Sequence, residues 1–341
     1  MTSAKPTIAV LRGGPSSEHE VSLNTGEGML AHMDTERFLP RDVVIRKDGT
    51  WTVGGAVCAT PQEALQGVDA VLIGLHGVYG EDGTVQALLD ASGVPYAGTT
   101  AEASRIGMSK ALTHAAVAKT LVSPVTVAPR TIVTPHEWRT HAQTCAALVT
   151  RDVGFPCVVK PAQGGSSVGV TMVRDGTPAE MTRLRDEAIS ALVAAGEDVV
   201  VERYVAGREV TCAVVEGVEG VDIRALPLVE VVLRDDQPFF DYAAKYGGTT
   251  REVCPANVDA RTARAISDAA IAIHTTLGLR DYSRSDFIIS DDGSIVFLEV
   301  NTLPGMTPTS FVPQALAAVG ISYTDFVTHL ITRTLSRGAT R

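Results

Sequence analysis

Two strand-like segments near the C-terminal end of the chain place the strongest constraint on its fold. Residues 282–289 and 295–301 are rich in β-branched and aromatic side chains, and the Asp-Gly pair at 292–293 between them is a strong signal for a hairpin turn. If this pair forms a two-residue turn, counting outward places Asp286 directly opposite Glu299. The sequence therefore predicts an antiparallel pair of strands with two facing carboxylates.

The facing carboxylates predict a metal site. Directly opposed Cβ atoms lie only ~4.5–5.5 Å apart, so two like charges destabilise a sheet unless a positive charge lies between them. The same register pairs Arg284 with Asn301 and puts both on the face of the carboxylates, because side chains alternate along a strand. Mg²⁺ prefers such hard oxygen ligands. Asp286, Glu299 and Asn301 are therefore the candidate Mg²⁺ ligands.

The two-residue turn makes further predictions about this hairpin. It pairs Asp291 with Ser294. It also places Ile288 and Phe297 beside the carboxylates, which favours a partly enclosed site over the alternative, an exposed hairpin with solvated carboxylates. The opposite face is predicted to belong to the core and carries Phe287, Ile289, Val296 and Leu298.

The composition excludes several classes of protein. A chain of 341 residues is longer than the ~100–200 residues of a usual domain, which predicts two or three packed units. No stretch approaches the ~18 consecutive apolar residues of a membrane helix, and residues 8–11 are too short for a signal peptide, so we expect a cytoplasmic protein outside the membrane. The net charge of −10 disfavours a nucleic-acid partner. Scattered cysteines argue against a disulfide framework or a zinc site: Cys58, Cys145, Cys157, Cys212 and Cys254.

The first hundred residues alternate strand and helix patterns. The apolar run 7–11 leads into a turn-rich loop and a helix, and a second apolar run, 70–75, leads into another. Such alternation predicts a parallel sheet covered by helices. Loops that follow its strands meet at one edge, where open α/β sheets bind ligands, so we expect Glu18 and His76 on the same rim.

The rest of the chain indicates an α+β arrangement, so the fold class is α/β and α+β. We predict three units: an N-terminal α/β unit (1–100), a central unit with a phosphate loop (101–202) and a C-terminal unit with the metal site (203–341). The predicted elements, in chain order, are a first helix capped by Ser16 or Ser17, a helix from about 109, strands at 157–160 and 168–173, a helix at 178–195, strands at 199–203, 210–214 and 223–232, and helices at 260–276 and 310–335.

A glycine-serine loop at residues 160–170 is a candidate phosphate site. Lys160 ends a strand, and small residues that include Gly165 and Ser167 follow it and expose backbone N–H groups. The alternatives are a glycine-rich connection between strands or a GxSxG nucleophile elbow centred on Ser167. The elbow requires a following helix, whereas residues 170–173 resemble a strand. Downstream, Glu202 and Glu209 are positioned to accept hydrogen bonds from an adenine amino group or ribose hydroxyls, unless they are solvated surface glutamates.

Seven segments together resemble the D-alanine–D-alanine ligase family. They occur in the order and approximate spacing of that family and span most of the chain: GGPSSEHEVS, LHGVYGEDGT, GMSK, VVKPAQGGSSVGV, DYAAKY, SRSDF and LEVNTLPGMTPTSF. The resemblance implies the ATP-grasp fold, in which a central and a C-terminal unit enclose ATP beside an N-terminal α/β domain. It also implies two Mg²⁺ ions, with Mn²⁺ as a substitute, and a homodimer.

The resemblance also implies residue roles. It assigns ATP to Lys110, Lys160, Gly165, Ser167, Glu202, Arg203, Val205, Glu209 and Lys245. It assigns the ammonium of the first D-alanine to Glu18, with His76 nearby and with Ser166 and Tyr246 linking Glu18 to the loop after residues 241–246. It assigns the oxyanion to Arg284 and the backbone around Gly305, and the carboxylate of the second substrate to Ser310 and the N–H of Phe311.

The implied reaction joins two D-alanines through a D-alanyl phosphate for peptidoglycan precursor synthesis, with the loops 163–168 and 235–252 as lids. Three residues depart from the family pattern: Arg203 replaces a lysine, Phe240 a tyrosine and Phe311 a leucine. Three alternatives stay open. One is a ligase that takes D-lactate, which the Lys-Tyr pair at 245–246 disfavours; the others are a ligase for another small dipeptide and an ATP sensor without catalysis.

Overall fold

The N-terminal part of the chain forms a five-stranded sheet. A computed structural model describes residues 4–165, 168–232 and 251–339. The central strands β2, β1 and β5 are parallel, as predicted, and an antiparallel pair, β3 and β4, extends one edge in the order β4-β3-β2-β1-β5. The strands are β1 (Thr7–Gly13), β2 (Leu39–Ile45), β3 (Trp51–Val53), β4 (Ala56–Val57) and β5 (Ala70–Ile73).

Three helices accompany this sheet: α1 (His19–Ala31), α2 (Pro61–Leu65) and α3 (Thr84–Ser92). The prediction that Ser16 or Ser17 caps the first helix was wrong, because Glu18 occupies the N-cap position. Ser16 instead donates its hydroxyl to the carbonyl of His76 at 2.7 Å and accepts the N–H of Glu18 at 3.1 Å. This serine therefore ties the loop after β1 to the loop after β5.

The central part forms a four-stranded antiparallel sheet in the order β7-β10-β8-β9. Its strands are β7 (Arg130–Val133), β8 (Cys157–Pro161), β9 (Thr171–Val173) and β10 (Val199–Arg203). The strand before them in the chain, β6 (Val125–Val127), belongs to the third sheet. The helices here are α4 (Ala101–Met108), α5 (Lys110–Val117), α6 (Pro135–Asp152) and α7 (Pro178–Ala194). The predicted helix start near 109 is confirmed, since Ser109 caps α5 through a hydrogen bond from the N–H of Leu112.

The third sheet contains the hairpin that carries the candidate Mg²⁺ ligands. Its strand order is β14-β13-β11-β15-β16-β6, and β12 pairs with β11. The strands are β11 (Gly207–Glu216), β12 (Ile223–Ala225), β13 (Val229–Val232), β14 (Arg251–Val253), β15 (Tyr282–Ser290) and β16 (Ile295–Asn301). The helices are α8 (Ala260–Thr276), α9 (Phe311–Ala317) and α10 (Tyr323–Gly338). The predicted strand 223–232 and helix 310–335 are each two elements. In the part of the chain described, no helix has the length and apolar character needed to cross a membrane.

The hairpin between β15 and β16 has a three-residue turn. The N–H of Ser290 donates to the carbonyl of Ser294 at 2.9 Å, and Gly293 adopts φ 82°, the left-handed conformation that this turn requires. The predicted pair of Asp291 with Ser294 was therefore wrong, because Asp291 belongs to the turn. By itself this shift would also have moved Asp286 away from Glu299.

A β-bulge in β16 restores the predicted pairing. The register shifts between Asp286 and Phe287, so that Asp286 lies opposite Glu299, Phe287 lies opposite Phe297, and Leu298 is the extra residue. The facing carboxylates are confirmed, but three neighbouring assignments were wrong. Phe297 is buried in the core of the third sheet, whereas Val296 and Leu298 lie on the side of the carboxylates, where Leu298 lines the cleft.

A buried cluster of charges joins the start of β15 to α10 and to the first sheet. The carboxylate of Asp281 is 1 % exposed and accepts from Arg337 at 2.6 and 2.8 Å, from Arg333 at 3.1 Å and from the N–H of Gly98 at 2.8 Å. Asp281 also adopts φ 67°, a conformation that Asp tolerates better than most residues. The cluster fixes the strand end three residues before Arg284.

We expect Asp281→Asn to lower the free energy of unfolding by about 3 kcal/mol, because it removes the charge of a buried carboxylate that the half-buried Arg333 and Arg337 contact. Urea denaturation followed by circular dichroism measures this. Glu219→Gln is a matched control, since Glu219 also has a positive φ (52°) and pairs with Arg224 at 2.7 Å but is exposed. The control should cost less than about 1 kcal/mol. Equal losses in the two variants would contradict the importance of the cluster.

Candidate active site

A cleft lies between the second and third sheets. Its volume is about 340 Å³, within the range of small-molecule sites, and strands of both sheets line it. Every predicted nucleotide residue that the structure describes lies on its walls: Lys110, Lys160, Gly165, Glu202, Arg203, Val205 and Glu209. The loop that carries Gly165 leads to β9 and not to a helix, which argues against a nucleophile elbow.

Two buried lysines lie in the cleft beside carboxylates. The ammonium of Lys160 lies 2.5 Å from Glu202, and that of Lys110 lies 3.3 Å from Glu299 and donates to the carbonyl of Gly164 at 2.7 Å. Burial lowers the pKa of Lys110, and the charge of Glu299 opposes this effect. The site thus neutralises its own charges, and an incoming polyphosphate would compete with Glu202 and Glu299 for the two lysines.

The carboxylate of Asp286 is surrounded by donors. It accepts from Thr211 at 2.6 Å, from Arg284 at 2.8 and 2.9 Å, and from the amide of Asn301 at 3.1 Å. Glu299 lies across the hairpin on the same face. Three side chains with hard oxygen atoms therefore converge, and their negative charges are balanced by Arg284 and Lys110. This donor set fits Mg²⁺.

Arg284 lies at the centre of these contacts. Burial disfavours the charged guanidinium, but Asp286 more than offsets this effect, so the pKa of Arg284 is raised above its usual value. Its guanidinium carbon lies 5.3 Å from the centre of the Phe311 ring, at the start of α9. Arg284 thus connects the predicted metal-binding face to the predicted second-substrate residues and stays charged in the working pH range.

Glu18 and His76 meet at the rim of the first sheet, as predicted. Glu18 is 8 % exposed, and its Oε2 lies so close to Gly77 that a Cβ there would approach it to 2.8 Å. The Nδ1 of His76 lies 3.0 Å from the carbonyl of Leu303, which can only accept, so Nδ1 carries the hydrogen and Nε2 accepts from Thr25 at 2.7 Å. Burial lowers the pKa of His76, which agrees with a neutral ring.

Glu81 is a partly buried carboxylate that the sequence reasoning missed. It accepts the N–H of Gly77 at 2.7 Å and a hydrogen bond from the backbone of Leu303. Burial, with the negative charge of Glu18, raises the pKa of Glu81 to about 8. It lines a small cavity of about 30 Å³ together with Glu299 and Asn301. The sequence feature that could have identified Glu81 is a pair of adjacent acidic residues in the glycine-rich loop after β5.

A tight turn precedes α9. A Cβ at Gly305 would lie 2.8 Å from the hydroxyl of Ser310, so a glycine is required for this approach. Ser310 accepts the N–H of Thr307 at 3.1 Å and occupies the N-cap position of α9, which leaves the N–H of Phe311 in the first turn of that helix. Gly305, Ser310 and Phe311 are therefore brought together beside Arg284.

The cleft contains a further ion pair, which the sequence reasoning missed. Arg208 donates twice to Glu230, with both distances 2.7 Å, and both residues line the cleft. A single carboxylate within the apolar run 226–232 was the signal that could have identified Glu230. Several predicted residues lie outside the described residues: Ser166, Ser167, Phe240, Lys245 and Tyr246, with most of the predicted lid 235–252.

Comparisons with known proteins match this chain over nearly its full length. Family models described as "D-ala D-ala ligase N-terminus" and "D-ala D-ala ligase C-terminus" match residues 7–64 and 54–99, and 122–332. A D-alanine--D-alanine ligase from Anaeromyxobacter sp. (strain Fw109-5) is 41% identical over 328 residues, covering 95% of each chain. One from Desulfotalea psychrophila is 36% identical over 330 residues, covering 95% of this chain and 93% of its own.

Solved structures of ligases share the fold of this chain. The VanG D-Ala:D-Ser ligase from Enterococcus faecalis is 28% identical, with a TM-score of 0.81 over 96% of this chain and 99% of its own. The D-alanine-D-alanine ligase from Coxiella burnetii, 22% identical, supports the fold with a TM-score of 0.79 over 98% of this chain and 95% of its own.

Proposed function

The chain belongs to the D-alanine–D-alanine ligase family, and on this premise we propose how its residues perform the ATP-dependent joining of two D-alanines. It is an ADP-forming ligase with the ATP-grasp fold of that family, and its product serves peptidoglycan precursor synthesis. The observation that supports the residue roles is the position of Arg284. It contacts Asp286 on the metal-binding face and approaches Phe311 at the second-substrate turn.

The first step activates a carboxylate. A carboxylate oxygen of the first D-alanine attacks the γ-phosphorus of ATP, the bond to ADP breaks, and D-alanyl phosphate forms. In our proposal Lys110 and Lys160 leave their carboxylate partners for the phosphates, and Glu18 holds the ammonium of the substrate, with His76 nearby. Mg²⁺ bound by Asp286, Glu299 and Asn301 would neutralise phosphate charge. Glu202, Arg203, Val205 and Glu209 form the wall for adenosine.

The second step forms the amide. The free amine of the second D-alanine attacks the acyl carbon, and the tetrahedral intermediate expels phosphate while the nitrogen loses a proton. We assign the oxyanion to the guanidinium of Arg284 and the backbone N–H at Gly305, which are the kind of fixed donors that stabilise such charge. Ser310 and the N–H of Phe311 hold the carboxylate of the second substrate in this proposal.

Several finer points belong to the same proposal. They are the division of the chain at residues 100 and 202, two Mg²⁺ ions that Mn²⁺ can replace, a homodimer, and a cytoplasmic location. The roles of Ser166, Ser167, Lys245 and Tyr246 also stay predictions that follow from the family. Titration of Mn²⁺ with ADP present, read by electron paramagnetic resonance, would count the metal ions.

A product assay tests the function. The wild-type protein is incubated with ATP, Mg²⁺ and single or paired D-alanine, D-serine, D-lactate and L-alanine, and phosphate release and products are measured by a coupled assay and mass spectrometry. We expect phosphate release that depends on D-alanine, and D-alanyl-D-alanine as the main product. A dominant ester with D-lactate near neutral pH, or a dominant D-alanyl-D-serine product, would contradict the assignment of the second substrate.

A further inference from the structure

The peptide unit of Leu303 is held from both sides by the loop after β5. Its carbonyl accepts from the Nδ1 of His76 at 3.0 Å, and its backbone also hydrogen-bonds to the carboxylate of Glu81. Both partners come from the first sheet, whereas Leu303 follows β16 of the third sheet. The contact therefore joins two parts of the chain that are more than 200 residues apart in sequence.

Glu81 and His76, which hold the Leu303 peptide, are themselves fixed by hydrogen bonds. Glu81 accepts the N–H of Gly77 at 2.7 Å, and the backbone N–H of His76 donates to Ser22 at 2.9 Å. Thr25 donates to the second ring nitrogen of His76 at 2.7 Å, which leaves Nδ1 as the donor to Leu303. The two contacts of His76 are buried and that of Glu81 is partly buried, so exchanging these partners for water is costly.

Leu303 lies between two groups of the proposed reaction. It is two residues after the metal ligand Asn301 and two residues before Gly305, whose backbone faces the oxyanion in the proposed mechanism. The Leu303 side chain is 1 % exposed and fits so closely against Gly98 that a Cβ there would approach it to 3.0 Å. A shift of the Leu303 peptide would therefore move the Gly305 donor relative to Arg284.

We propose that Glu81 and the Nδ1 of His76 are positioning residues that fix the Leu303 peptide, and through it the backbone donor at Gly305. This inference rests on the proposed function, and it gives His76 a role in addition to its place near the first D-alanine. The positioning role explains why the carboxylate of Glu81 lies beside Glu18, where a second negative charge is unfavourable. Burial and Glu18 raise the pKa of Glu81 to about 8, so its protonated form is well populated at neutral pH.

The test compares Glu81→Ala with Glu81→Gln. Glu81→Ala should lower kcat by about 100-fold, the effect of a misplaced catalytic group, with the KM for ATP unchanged. Glu81→Gln keeps an acceptor oxygen in a neutral side chain and should stay within about tenfold of the wild type. Glu81→Ala should also weaken binding of a phosphinate analogue of D-alanyl-D-alanine, which mimics the tetrahedral intermediate, as strongly as it lowers kcat.

Asp82→Asn controls for disruption of the loop. Asp82 accepts the N–H groups of Tyr79 and Thr84 within the same loop and has no contact with Leu303 among the described hydrogen bonds. It should reduce thermal stability without a selective loss of phosphinate binding. A kcat of Glu81→Ala within twofold of the wild type, equal losses for Glu81→Ala and Glu81→Gln, or equal weakening of ATP and phosphinate binding would each overturn the proposal.

A second pair of variants tests the same contact if Glu81→Ala does not fold. The amide nitrogen of asparagine can replace the Nδ1 of histidine, whereas that of glutamine replaces Nε2. His76→Asn should therefore retain a higher kcat and tighter phosphinate binding than His76→Gln, and the reverse order would overturn the proposal. If the wild-type protein forms no dipeptide, the proposed function has failed, whereas an active wild type with insensitive variants refutes the positioning role alone.

Discussion

Replacement of Glu299 by glutamine is expected to lower kcat by at least about 1000-fold, because a metal ion contributes several kcal/mol of charge stabilisation in phosphoryl transfer and each 1.36 kcal/mol is a factor of ten. The glutamine preserves the shape of the side chain and removes its charge. Glu299 faces Asp286 across the hairpin and lies 3.3 Å from Lys110, so the variant loses a metal ligand and frees a lysine. D-alanine-dependent phosphate release measures the effect.

Two further measurements make this prediction specific. Mn²⁺ binding in the presence of ADP, followed by electron paramagnetic resonance, should weaken in Glu299→Gln while circular dichroism and the thermal midpoint stay close to those of the wild type. Asp291→Asn is the matched control, since it removes a carboxylate from the same hairpin at its exposed turn. Near-normal turnover of Glu299→Gln would refute the metal role of the hairpin.

Arg284→Lys should reduce kcat by about 100- to 1000-fold, the cost of removing one preorganised oxyanion donor. Lysine keeps the charge but cannot donate in parallel to both oxygens of Asp286, which Arg284 contacts at 2.8 and 2.9 Å. The variant therefore also disturbs the orientation of a metal ligand. Steady-state kinetics should show a large loss in kcat with a small change in the KM for ATP.

Arg208→Lys provides the comparison for Arg284→Lys. Arg208 makes a similar contact through two hydrogen bonds with Glu230 on a neighbouring strand, but it lines the cleft beside Glu209, which is proposed to contact the ribose. We expect its substitution to affect mainly the KM for ATP. If the two variants change kcat and KM in the same way, Arg284 has no special part in the second step.

The hairpin shows which features of a strand pair local sequence rules can predict. The Asp-Gly signal predicted a turn at the right place, and the pairing of Asp286 with Glu299 was correct. It was correct because two shifts cancel: the turn has one more residue than predicted, and the bulge at Leu298 compensates. The alternation of side chains along a strand does not reveal either shift, so the faces of Val296, Phe297 and Leu298 were assigned wrongly while those of the carboxylates were right.

Other features depend on partners that are distant in sequence. Nothing near Asp281 indicates that it is buried, because its partners are Gly98, Arg333 and Arg337. Glu81 was missed for the same reason, since Leu303 comes from another sheet. The helix α6 (Pro135–Asp152) was missed because few of its residues are buried and its apolar pattern is weak, although the Thr134–Glu137 capping box was a local signal.

The extra residue in β16 changes which side chains of this strand face the cleft. In a regular strand, side chains on one face recur every second residue, about 6.8 Å apart. The bulge lets the neighbours Leu298 and Glu299 both face the cleft, so an apolar side chain and a proposed metal ligand lie about 3.4 Å apart along the chain. In the proposed site, one inserted residue would thus let a single strand contact both the uncharged adenine ring and the charged phosphates of one nucleotide.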